Sequence, residues 1–228
     1  MKIEHKNPVV SLNKLGEYLT AKPARRAKIV VDQKRPKEFI VTRYKEATTA
    51  IVHFLEDGGD NIDILDAAIS KLESKRARTP FQEQDRVLSI EAIHAFQELY
   101  STHAFEGIGC RRAPTGSPKL EFGGVAISVA PNLIVRGSNR RGETLLGEVK
   151  LHFSKTHPLV TEAGEYIGTT LFEHATRTLS DQGKVDVRCC LSVDVFAKQI
   201  YMAPRAFKKR KQDIEAACAE IALHWDAA

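Results

Sequence analysis

The segment from residue 125 to 153, VAISVAPNLIVRGSNRRGETLLGEVKLHF, contains the side chains whose types and spacing favour chemistry. Its two apolar runs are joined by the turn-rich sequence RGSNRRGE, a pattern that predicts a β-hairpin with a basic tip. Because side chains alternate between the faces of a strand, Glu148, Lys150 and His152 should share one face. Their apolar neighbours predict a strand near the interior, where charged groups need a partner or a chemical role.

Asn132 follows Pro131 at the start of the first apolar run of the hairpin. A proline interrupts the hydrogen-bond ladder, so the next side chain can leave regular strand geometry. This arrangement resembles the PD-(D/E)XK nuclease superfamily: a proline and a polar residue are followed by a hairpin and then by Glu148-Val149-Lys150. In that superfamily an acidic residue normally stands at the position of Asn132. The resemblance covers roughly residues 82–202. It implies a restriction-endonuclease-like α/β core, a small mixed β-sheet flanked by helices, that hydrolyses phosphodiester bonds of nucleic acid, DNA rather than RNA.

The resemblance also implies a magnesium or manganese site. Mg²⁺ prefers hard oxygen ligands, so Asn132, Glu148 and the backbone carbonyl of Val149 would hold the ion against a phosphate. Lys150 would orient or deprotonate the attacking water, or stabilise the transition state.

The helix before the hairpin offers a further carboxylate. Glu91, His94 and Glu98 share a narrow polar stripe on residues 87–100, and either glutamate could reach the metal. A stripe that merely faces solvent explains the pattern equally well. We expect Glu91 to assist catalysis in preference to Glu98.

Asn132 leaves the activity open, because an amide lacks the charge that holds a divalent cation. Three interpretations compete: a substitution introduced to inactivate the site, a natural variant with weakened metal affinity, or a degenerate member that binds without cutting. The alternatives to a nuclease are therefore a non-catalytic nucleic-acid-binding or assembly module on the same fold, and a protein-interaction domain in which Glu148 and Lys150 form a structural ion pair.

The composition is that of an ordinary globular protein, 43% hydrophobic and 28% charged, with a net charge of +5 that fits an anionic partner. Three basic groups are candidates for phosphate contacts. They are residues 22–45, the hairpin tip (Arg136, Arg140, Arg141), and the start of the last helix (Arg205, Lys208, Lys209, Arg210, Lys211). The first of them, residues 22–45, could instead be a solvated loop with a short strand at residues 29–31.

The four cysteines lack zinc-site spacing, and the polar N-terminus and the lack of a long apolar run predict a cytoplasmic protein that binds no membrane. A homodimer would suit a nuclease that cuts two strands.

Hydrophobic periodicity predicts a helical N-terminal region over residues 1–80. The resemblance implies a nuclease-like core over residues 81–228. The expected helices are one from Ser11 to Pro23, then 44–55, 62–72, 82–100, 162–179 and 204–225. The expected strands are 120–122, 125–135, 145–153, 185–195 and 199–202, with an irregular loop over residues 107–118.

Overall fold

The protein has a mixed α/β fold, and the computed structural model describes residues 4–36, 43–102, 105 and 107–228. The helices are α1 (Leu12–Thr20), α2 (Pro23–Lys34), α3 (Lys45–Glu56), α4 (Asp63–Ser74), α5 (Pro80–Tyr100), α6 (Thr161–Thr178) and α7 (Phe207–Trp225). The strands are β1 (Val9–Ser11), β2 (Gly109–Arg112), β3 (Leu120–Phe122), β4 (Val125–Ser128), β5 (Leu133–Ser138), β6 (Thr144–His152), β7 (Lys184–Val185), β8 (Leu191–Asp194) and β9 (Gln199–Met202).

The larger sheet has the strand order β2-β5-β6-β8-β9, with β7 also paired to β6. The predicted hairpin is confirmed: β5 and β6 are antiparallel, and Ile134 lies opposite Glu148. Helix α6 then crosses over so that β8 runs parallel to β6, and β9 returns antiparallel to β8. A smaller sheet has the order β1-β4-β3.

Strand β6 separates two apolar clusters, because its side chains alternate between the sheet faces. Leu146 belongs to the cluster built with α1, α2, α6 and α7, whereas Val149 and Leu151 belong to the cluster built with α3, α4 and α5. The described residues before Pro80 form β1 and helices α1 to α4, and they contribute to both clusters. The division at residue 80 stays a prediction.

Two segments that were expected to be loops form regular elements instead. Residues 23–34 form helix α2 instead of a loop with a strand, since Pro23 is favourable at the first helical position and Ile29 and Val30 bury one face. Helix α1 ends at Thr20, and Pro23 is the first residue of α2. Residues 109–112, expected in a loop, form the edge strand β2. Residue Lys37 of the basic segment lies outside the described residues.

The expected strand over residues 125–135 is two strands in different sheets. Strand β4 pairs with β1 and β3, and β5 pairs with β2 and β6. Between them, Ala130 has a φ of +40°, a left-handed conformation that is strained for a residue with a Cβ. Pro131 follows directly, so the chain turns here and passes from one sheet to the other. The region 185–195 divides similarly into β7, a short 3₁₀ turn over Val187–Cys189, and β8.

Candidate functional site

Glu148 is buried in the middle of β6, with only 1% of its surface exposed. Both of its carboxylate oxygens lie within hydrogen-bond distance of His174 Nδ1, at 2.9 and 2.8 Å. His174 lies on α6, which packs against this face of the sheet, and is also 1% exposed. The glutamate that the resemblance assigns to a metal therefore has an internal partner.

The contacts of the two ring nitrogens of His174 show how many protons the Glu148–His174 pair holds. Nε2 lies 3.1 Å from the carbonyl oxygen of Pro118, which can only accept, so Nε2 carries a proton. The contact between Nδ1 and the carboxylate requires a second proton between those groups. With these two protons the buried pair carries no net charge.

Asn132 is anchored in the plane of the sheet. Its Oδ1 accepts a hydrogen bond of 2.9 Å from the backbone N–H of Leu151, and its own N–H donates to the carbonyl of Val149 at 2.8 Å. Its carbonyl in turn accepts from the N–H of Ala113. The side chain thus supplies the acceptor that continues the β5–β6 ladder beyond the proline.

Lys150 lies on the same face of β6 as Glu148, as the alternation predicted. Its ammonium group donates to the carbonyl of Ala130, the residue with the left-handed conformation. Burial lowers the pKa of Lys150 to about 8, because the charged form loses hydration. On the neighbouring strand, Ser192 pairs with Lys150, and its hydroxyl is buried without a hydrogen-bond partner among the described residues.

His152 follows on the same face near the end of β6. Its Nε2 lies 2.9 Å from the carbonyl oxygen of His157, and burial lowers its pKa despite the opposing effect of that hydrogen bond. The adjacent carboxylate of Asp194 accepts hydrogen bonds from the backbone N–H groups of Leu159 and Ala197. These contacts close the loop after β6 and hold the start of α6 against β8.

Glu91 and Val149 lie apart from the Glu148 carboxylate. Glu91 is exposed on α5, the helix that packs on the opposite face of the sheet, and it forms an ion pair with Lys155. The side chain of Val149 is fully buried on that same opposite face, and its carbonyl oxygen accepts from Asn132. The structure therefore does not bring Glu91 together with Glu148.

The residues do not fit a magnesium site in this arrangement. Such a site needs carboxylate oxygens directed at a shared, hydrated position. Here both oxygens of Glu148 face His174, and the amide oxygen of Asn132 accepts from a backbone N–H. Within the described parts of the chain, no cluster of three or more histidine, cysteine, aspartate or glutamate side chains is arranged to hold a metal ion.

The tip of the β5–β6 hairpin is an ordered turn that presents arginines. Asn139 Oδ1 accepts from the N–H groups of Arg141 and Glu143, and Gly142 takes the positive φ that closes the turn. Arg140 and Arg141 are exposed. Six strand positions separate Thr144 from Lys150, so the tip lies about 20 Å from the lysine.

Strand β2 adds an arginine that the sequence did not indicate. Arg111 pairs with Ile134 and therefore faces the same side as Arg136 on β5. Both side chains are exposed, and the guanidinium of Arg111 donates to Gln182. Together with the tip they form a basic edge, which we define as Arg111, Arg136, Arg140 and Arg141.

The third basic group divides in two. Lys208 and Lys209 are exposed at the start of α7. Arg210, by contrast, donates to Glu162 and Glu165, and Lys211 pairs with Glu173. The latter two cations therefore join α7 to α6, so only part of this group faces solvent.

His174 is the site residue that sequence reasoning missed. It lies on the buried stripe of α6 with Ile167, Leu171 and Ala175, three or four residues apart. A histidine on an otherwise apolar stripe is a signal for a buried hydrogen bond, but the sequence does not reveal its partner.

Neither a protein-family model nor a curated protein sequence matches the chain at significant similarity. Across the described ranges, the structure has no helix that is both long and apolar enough to cross a membrane.

Proposed function

We propose that this chain is a catalytically degenerate module on a restriction-endonuclease-like core, which binds DNA without cutting it. The observation that carries the proposal is the burial of Glu148 against His174. Since the carboxylate has both oxygens on an imidazole, the geometry supports binding better than metal-dependent hydrolysis.

The topology supports the proposed core. Helix α5 precedes the antiparallel strands β2, β5 and β6, and α6 crosses over to the parallel strand β8. The Glu148-Val149-Lys150 triplet lies in the second strand of the hairpin, and Pro131-Asn132 immediately precedes the first. A mixed sheet with helices on both faces supports the restriction-endonuclease-like core that we propose.

The basic edge supplies the proposed binding surface. Four guanidinium groups lie on one edge strand and one hairpin, where they can contact successive phosphates. Each phosphate contact releases condensed counterions, so the affinity should fall steeply with salt.

The test compares two double variants of equal charge change. Arg140→Gln/Arg141→Gln should weaken binding to a labelled DNA duplex and reduce the slope of log affinity against log salt by about two. The matched control, Arg76→Gln/Arg78→Gln, removes two exposed arginines from the α4–α5 connection and should leave both unchanged. EDTA should leave the affinity of the wild type unchanged at a fixed concentration of monovalent salt. Equal loss in the two double variants, or no binding at low salt, would contradict the proposal.

A metal-dependent nuclease is the second candidate, favoured by the common face that Glu148 and Lys150 share beside Asn132. Its test is cleavage of single-stranded and double-stranded DNA by Asn132→Asp with Mg²⁺ or Mn²⁺. Cleavage that Lys150→Ala abolishes would favour the nuclease. Binding without cleavage would favour the degenerate module.

A further inference from the structure

We propose that the imidazole of His174 takes the place of a divalent cation in this chain, so that the Asn132 and Glu148 site excludes metal by an internal substitution. The inference rests on the proposed degenerate site, but it does not depend on nucleic-acid binding.

The first support is the way in which the carboxylate is held. His174 Nδ1 lies at nearly equal distances, 2.9 and 2.8 Å, from the two oxygens of Glu148. A cation that binds a carboxylate through both oxygens takes the same position. Both side chains are only 2% exposed, which leaves no path for the waters that Mg²⁺ keeps.

The second support is the balance of charge, which links His174 to Asn132. A site with two carboxylates is neutralised by one divalent cation, whereas a site with an amide and one carboxylate needs a single positive charge. The proton that must lie between His174 Nδ1 and the Glu148 carboxylate supplies that charge. Asparagine at position 132 and histidine at position 174 are therefore complementary. The asparagine removes one negative charge from the site, and the histidine in place of a divalent cation removes one positive charge.

The third support is that the ring is fixed from both sides. His174 Nε2 donates to the carbonyl oxygen of Pro118, in the segment that leads into β3. With a hydrogen-bond contact on each ring nitrogen, the imidazole is held against the carboxylate. The amide oxygen of Asn132 is also engaged in a hydrogen bond, because Oδ1 accepts from the N–H of Leu151.

The experiment measures Mn²⁺ binding by electron paramagnetic resonance of the free ion. We expect no saturable binding by the wild type or by Asn132→Asp, because His174 still occupies the carboxylate. Asn132→Asp/His174→Ala should bind Mn²⁺ saturably, because the loss of the imidazole frees both oxygens of Glu148. Added Mn²⁺ should also raise its melting temperature, because a ligand that binds only the folded state stabilises it.

The control is Asn132→Asp/His152→Gln, which removes the other buried histidine of the same sheet face and should bind no Mn²⁺. Mn²⁺ binding by Asn132→Asp alone, lost in Asn132→Asp/Glu148→Gln, would overturn the proposal. So would a folded Asn132→Asp/His174→Ala protein that binds none. If the Asn132→Asp/His174→Ala protein folds poorly, Mn²⁺ binding by Asn132→Asp still tests the proposal, because such binding would show that His174 does not exclude the metal. Failure of DNA binding at the basic edge is measured separately and affects neither outcome.

Discussion

Replacing His174 with leucine should be among the most destabilising single changes in the protein. The substitution keeps an apolar volume of similar size but leaves the Glu148 carboxylate, 1% exposed, without its partner. Breaking a buried ion pair by removing one partner costs about 3 to 5 kcal/mol. In a chain of this length that loss corresponds to a fall in melting temperature of roughly 6 to 20 °C.

The assay is urea denaturation of His174→Leu, Glu148→Met and the double variant. The double variant should lose far less than the sum of the single losses, because it leaves no unpaired charge behind. The exposed Lys28–Asp32 pair, 3.1 Å apart, is the matched control, and Asp32→Asn should change stability by no more than about 1 kcal/mol. A loss below about 1 kcal/mol for His174→Leu, or additive losses in the double variant, would refute the reasoning.

Three further predictions concern the residues around this pair. The lowered pKa of Lys150, about 8, means that the unfolded chain binds more protons than the folded one between that value and the unfolded pKa, so stability should rise with pH in this window. The wild type should therefore gain about 2 kcal/mol relative to Lys150→Met between pH 7 and pH 10, measured by urea denaturation at each pH; a constant difference would contradict it. Gly147→Ala should destabilise the protein by about 1 to 3 kcal/mol or more, since its Cβ would lie 2.1 Å from the carbonyl oxygen of Cys189. Gly109→Ala is the control and should be tolerated, because its Cβ meets only an ordinary 3.6 Å contact. Thermal melts would compare the two variants, and equal effects would argue against the close approach at Gly147. Asn132→Ala should cost about 1 to 3 kcal/mol, measured by thermal melts, because it leaves the N–H of Leu151 without an acceptor. A melting temperature equal to that of the wild type would contradict this role of Asn132.

The sequence predicted those parts of the fold in which periodicity is regular. The boundaries of β3 and β9 match the prediction, and α3, α4, α5 and α6 differ by one or two residues at their ends, because apolar residues recur there at strand or helical spacing. Strand β2 has no such pattern: its sequence Gly-Cys-Arg-Arg is polar, and pairing with β5 makes it a strand. Helix α2 was obscured by its charge, although Ile29 and Val30 are buried.

The candidate site was predicted in part. Alternation along β6 correctly placed Glu148, Lys150 and His152 on one face, since this follows from strand geometry alone. The partner of Glu148 could not be predicted, because α6 is joined to β6 through a loop and its rotation depends on packing. The same applies to Arg111, which reaches the face of Arg136 only through the register of β2. The metal ligands and catalytic roles remain predictions.

The pairing of β1 with β4 has a consequence for how the chain folds. Val10 lies opposite Ile127, so about half of the chain closes into a loop when this short parallel pair forms. Closing long loops costs entropy before any contact repays it, and contacts of this kind slow folding. Strand β1 should therefore join last, by pairing with a β4 strand that is already paired with β3. In native-state hydrogen exchange, the amide of Val10 should open at lower free energy than that of Leu151, which makes this short strand the point from which the structure begins to unravel.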